Sequence, residues 1–171
     1  MWCNGVNQQE SLVTRVKVWI VLIEDLKEPV FPHANRWGVL DCCAKPRLWE
    51  GVTVRIKADP HFGAGDIVTL VWQGCRGENG TSPIAGTYAE LQKKLVASDV
   101  GKDLDFVVAD YEKLIAPMVN NGSGLVYYEL QRIDGSKGKS KSDFVIINRT
   151  MPSGATCSPT NDLCETDWTN D

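Results

Sequence analysis

The sequence predicts an all-β fold, an antiparallel β-sandwich, on three observations. Residues 104–108 place Leu104, Phe106 and Val108 at alternate positions, and residues 126–130 repeat the pattern with Val126, Tyr128 and Leu130, the period of a half-buried strand. Turn-forming residues recur at roughly the 8–12 residue spacing of short sandwich strands. Helical periodicity lasts no more than about three turns anywhere in the chain.

Composition narrows the function classes. A chain of 171 residues is long enough to bury one core without staples. Its 43% hydrophobic and 23% charged residues are ordinary globular usage. The net charge of -4 argues against nucleic-acid binding through a basic surface. The longest apolar run, Val18 to Ile23, falls short of the roughly 20 residues that span a bilayer, so no membrane insertion is expected. Met1 to Glu10 is polar and does not read as a signal peptide, so export is expected by another route or after trimming.

Taken in order, residues 12–23 read as a strand with Val16, Val18, Ile20 and Leu22 on one face and Lys17, Trp19, Val21 and Ile23 on the other. Its second half is apolar on both faces, so it is expected to be covered twice or to meet another chain. Residues 28–32 are extended around Pro29 and Pro32, and 38–41 restart the sheet. Residues 51–57 alternate as a core strand, 59–66 form a loop, and 67–72 form a strand with Val68, Leu70 and Trp72 on one face. Residues 74–87 read as a long turn-rich loop, and 88–97 fit a strand or a short helix, of which the strand is favoured. One helical turn within 109–119 is expected to cross between the sheets. Asp134-Gly135-Ser136 turns the chain after Leu130, and Phe144 to Ile147 is the last strand. The expected core is Val54, Ile56, Leu70, Trp72, Leu104, Phe106, Tyr128 and Leu130. Beyond Pro152 the small polar residues read as a tail, ordered only if its cysteines pin it or a partner covers it.

Residues with chemical potential are few. His33 and His61 each follow a proline in a loop and read as surface turn residues. Asp103 and Asp105 share a strand face opposite the apolar one and should be solvated. Asp59, Asp66, Asp99 and Asp103 fall near strand ends without the spacing of a calcium loop. Gly63-Ala64-Gly65 leads into a strand and not into the helix that a phosphate cradle needs. Lys137 to Lys141 reads as a solvated edge whose lysines discourage sheet-to-sheet pairing. No catalytic residue, metal or cofactor is therefore expected. Of six cysteines, Cys157 and Cys164 are expected to close a local disulfide, and one of the adjacent Cys42 and Cys43 is available to Cys75. Of six tryptophans, Trp72 is expected in the core, and Trp19, Trp37 and Trp49 are candidates for an interface.

Gly38-Val39-Leu40-Asp41, Val52-Thr53-Val54, residues 65–74, Leu104 to Val108, Ile115-Ala116-Pro117, Asn121-Gly122 and Val126 to Leu130 form an ordered pattern over about residues 37–148. It resembles the bacterial immunoglobulin-like repeats of large surface and adhesin-like proteins of pseudomonads and related Gram-negative bacteria. The resemblance implies a seven-stranded Ig-like sandwich acting as a spacer or binding module, with no catalytic residues to carry over. The organisation expected is an N-terminal strand and Pro-rich linker at 1–36, the Ig-like sandwich at 37–150 and a Cys-containing tail at 151–171. The expected function is structural or adhesive, binding a protein or glycan at a bacterial surface and able to form a homo-oligomer or larger assembly. The alternative is a phage virion or secretion-apparatus subunit whose termini contact neighbours. A third, less favoured reading is a small enzyme or toxin using the Asp cluster and His61.

Overall fold

A computed structural model of the chain describes residues 21–164, where strands dominate and lie in two sheets. The strands are β1 (Leu22–Ile23), β2 (Val39–Leu40), β3 (Val52–Ile56), β4 (Ile67–Cys75), β5 (Pro83–Lys94), β6 (Leu104–Val108), β7 (Asn121–Gln131), β8 (Lys137–Lys139) and β9 (Asp143–Asn148). The larger sheet runs β1-β8-β7-β4-β5, with β9 also against β7 and β2 against β9. The smaller sheet is the antiparallel pair β3–β6. The long β7 organises the large sheet. One of its edges lies along β4, and the other is divided between β9 at 121–126 and β8 at 129–131. The pairs β1–β8 and β2–β9 are parallel, and the rest are antiparallel.

Period-two alternation explains the layering. Val52, Val54 and Ile56 of β3 and Leu104, Phe106 and Val108 of β6 face Val68, Leu70 and Trp72 of β4 and Val126, Tyr128 and Leu130 of β7 in one buried cluster. Each of the eight residues named as core from the sequence is at most 6% exposed. Trp72 fills the gap between the sheets. A Cβ on Gly124, its neighbour across β7, would overlap the indole ring, and Trp72 Nε1 donates to the Leu114 carbonyl at 3.4 Å. That carbonyl ends the short helix α1 (Tyr111–Leu114), which is capped by the Asp110 side chain. The chain passes through α1 from β6 in the small sheet to β7 in the large one.

Two elements differ from expectation. β5 begins at Pro83, inside the stretch read as loop, because residues 84–87 bulge away from β4 and then rejoin it at Tyr88. The Gln73 amide holds the bulge by donating to Gly74 O, Ile84 O and Thr87 Oγ1. Lys137 to Lys139 are no edge, since β8 lies between β7 and β1, and Gly138 lets Ile23 and Leu26 approach closely. Of the strand expected at 12–23, only Val21 to Ile23 fall within the described residues; Trp19 lies outside them.

Cys157 does not bond Cys164. The disulfides are Cys42–Cys157 and Cys43–Cys164, and Cys75 is a buried free thiol bonded to neither Cys42 nor Cys43. The tail does not close on itself; it folds back over one end of the sandwich. Thr150 bridges Thr156, Cys157 N donates to Arg149 O, and Met151 and Cys157 are buried with Cys42 against Trp49. Adjacent cysteines in the 41–44 turn thus meet two sulfurs of the returning tail, a pairing that spacing along the chain does not reveal.

Overpacking at Gly124 should be costly because the indole has nowhere to move. Gly124→Ala is expected to lower stability by about 1–3 kcal/mol, seen as a lower urea midpoint with an unchanged slope. The disulfides span 115 and 121 residues. Closing one loop of that length removes about 4–5 kcal/mol of unfolded-state entropy, and the second then closes only a short ring worth about 2–3 kcal/mol. Cys43→Ser with Cys164→Ser should therefore cost about 2–3 kcal/mol by calorimetry, and removing both bonds roughly 7 kcal/mol. Losses that simply add would contradict this geometry.

Candidate functional site

The face of the large sheet turned away from the core carries the richest exposed chemistry. Alternation sends Thr69, Val71 and Gln73 of β4, Tyr88 and Glu90 of β5, Leu125, Tyr127 and Glu129 of β7, and Phe144 of β9 outward. Register aligns Tyr88, Gln73, Leu125 and Phe144 in one row across four strands. The next row holds Glu90, Val71 and Tyr127, and the one after it Gln92, Thr69, Glu129 and Lys139. Large apolar groups thus lie beside carboxylates and an ammonium on one surface.

Both ends of this face are walled. At one end the turn 77–81 folds over it, with Gly80 N donating to Ser123 Oγ at 2.9 Å, Ser123 Oγ donating to Gly77 O, and Gly80 lying close to Leu125 and Phe144. At the other end Leu22 to Asp25 overhang a cleft of about 520 Å³, whose walls include Thr69, Glu129, Gln131, Lys137 and Lys139. That volume lies within the range of small-ligand sites.

Electrostatics tie the rows together. Lys139 Nζ sits 3.8 Å from the centre of the Tyr127 ring, a cation–π contact, and directly opposite Glu129 in the pairing of β7 with β8. Tyr88 donates to Glu90, and this hydrogen bond, ahead of burial and the charge of Glu90, pushes the phenol pKa up to about 12.

The residues singled out from the sequence are not gathered at this face. Trp37 is 71% exposed under Arg36, in the turn entering β2, and Gly38 beside it accepts from Ile146 N on β9. It stands at the far edge of the same sheet. Trp49 is half-buried, edge-on to Tyr111 and beneath Arg47, so it packs the sandwich end against the tail. Asp105 forms a two-bond pair with Arg55, and Asp103 bonds Lys57 and the Ala58 N–H, exposed cross-strand pairs on the small sheet. The Arg55 hydrogen bond holds the Asp105 carboxyl below the usual range. Asp66 is buried and accepts from Gly63 N and Ile133 N, Asp99 accepts from Val96 N and Lys93, and Asp59 accepts from His61. These carboxylates each brace a separate turn, and among the described residues no group of three or more His, Cys, Asp or Glu is placed to hold a metal ion. Burial pushes the Cys75 thiol up, which keeps it a poor nucleophile.

The aromatic row was missed in the sequence because its members lie on four strands. Alternation names each as outward-facing, but only register makes them neighbours. Comparison of the chain with protein-family models, with curated proteins and with solved structures found no match to any of them.

The Tyr88–Glu90 bond is directly testable. Glu90→Gln should bring the Tyr88 ionisation, followed by tyrosinate absorbance, back down toward 10. Because the folded-state value is raised, this bond stabilises the fold below about pH 10 and loses that effect as pH climbs through the folded value. A Tyr88 titration unchanged in Glu90→Gln would contradict the assignment.

Proposed function

We propose that this chain is a non-catalytic Ig-like module that binds a protein or glycan partner at a bacterial surface through the outer face of its large sheet. Several features support the Ig-like reading. A two-stranded sheet packs over a larger one, β2 runs parallel beside the last strand β9, a tryptophan is fully buried on the interior strand β4, and α1 carries the chain between sheets. Two disulfides are compatible with an oxidising, extracellular setting.

The observation that carries the binding role is the outer row of exposed Tyr88 and Phe144 with half-buried Leu125 between them, backed by Tyr127 and rimmed by Glu90, Glu129 and Lys139. Aromatic anchors with a polar rim are the composition of recognition surfaces. The virion alternative asks for termini that lace into neighbours, whereas residues 151–164 are bonded back onto their own domain.

The test is binding of the full chain to a glycan array and to immobilised bacterial surface proteins. Tyr127→Ala and Phe144→Ala should each weaken the strongest interaction by about tenfold, about 1.4 kcal/mol, with the thermal midpoint retained. Binding unchanged in both variants, or absence of binding to either kind of probe, would contradict the proposal.

A further inference from the structure

We propose that the outer edge of β5 pairs with β5 of a second copy, antiparallel about a two-fold axis through Gln92, to give one continuous sheet. β5 is the last strand of the large sheet among the described residues. The direction of its backbone groups follows from two anchors. Leu95 N donates to Asp66 O and Leu95 O accepts from Gly65 N, so odd-numbered residues of this strand address β4. On β7, Tyr128 addresses the opposite side, with its carbonyl accepting from Ser140 N, and carrying the alternation across β4 gives the same answer for β5. The N–H and C=O groups of Tyr88, Glu90, Gln92 and Lys94 therefore point to the open edge, and all four residues are exposed. The free stretch ends at Lys94, because Val96 N and O are both taken by Asp99.

An edge of this kind is a template for another strand, and its side chains select the register. Centred on Gln92, the ladder sets Glu90 against Lys94 twice and Gln92 against Gln92, and at each end it brings the Tyr88 side chain beside the Val96 side chain without backbone bonds. Tyr88 and Val96 are among the large apolar residues left exposed, at 47% and 56%. Centring on Glu90 or on Lys94 would instead set like charges face to face, and centring on Leu91 would leave both charges without an opposite. The sequence of one strand is thus complementary to its own reverse at a single register. A two-fold axis perpendicular to the sheet keeps both outer faces on the same side, so a pair presents two aromatic rows to one surface and gains from effective concentration. The contact is short, below the roughly 1,200 Å² of stable complexes, which places the pair in the weak, concentration-dependent class.

Sedimentation velocity of the full chain, over about a hundredfold range of concentration reaching roughly 1 mM, tests this. The weight-average mass should climb toward a dimer. Glu90→Lys and Lys94→Glu, both at exposed positions, should each weaken self-association at least tenfold, and the double variant with the charges exchanged should restore it. Thermal melts confirm that each variant folds. A chain monomeric throughout, a dimer indifferent to both single variants, or an exchanged variant that fails to recover would each overturn the proposal.

Discussion

The indole of Trp72 lies in the gap between the two sheets, against Gly124 on one side and the Leu114 carbonyl on the other. No side chain other than hydrogen fits at Gly124, so β4 and β7 lock in one register. A slip of a single residue would turn Trp72 outward and bring Val71 and Tyr127 into the core. The same contact fixes the crossing helix, since the carbonyl that receives the indole N–H closes α1. Register, layer spacing and the path between sheets thus depend on one buried ring.

With the inner faces filled, the chemistry open to solvent is what alternation sends outward. The large sheet offers tyrosines, a phenylalanine and opposed charges, walled by the 77–81 turn and by residues 22–25. The small sheet offers solvated ion pairs of Arg55 with Asp105 and Lys57 with Asp103, which contribute little when exposed. At the far end, Arg47 lies over Trp49, Trp49 meets Tyr111 edge-on and Arg149 lies over Tyr111, and two disulfides hold the tail to that end. The contacts that hold the fold and the exposed face proposed for binding are therefore separate.

Much of this was legible from spacing alone. Val52 to Ile56, Leu104 to Val108 and Val126 to Leu130 alternate because one face of each is buried, and in Ile67 to Trp72 the inward Val68, Leu70 and Trp72 keep the same period although Val71 is also covered. What spacing could not supply are relations between distant residues. The disulfide partners of Cys42 and Cys43 lie more than a hundred residues away, and the nearer pairing of Cys157 with Cys164 was the natural expectation. The start of β5 was hidden because a side-chain amide, Gln73, replaces ladder bonds over a bulge full of turn residues. Lys137 to Lys139 looked like an edge because charge marks edges, yet a parallel strand covers it.

Residue-resolved hydrogen exchange of the native chain tests most directly whether the Trp72-centred core holds the outer face as one rigid platform. The buried ladder between β4 and β7 should exchange only through global unfolding, at a common free energy for residues 68–72 and 126–130, while the 77–81 turn opens locally at much lower cost. Amides of these two strands that exchange independently, or as fast as those of the turn, would show that no single locked core supports the outer face.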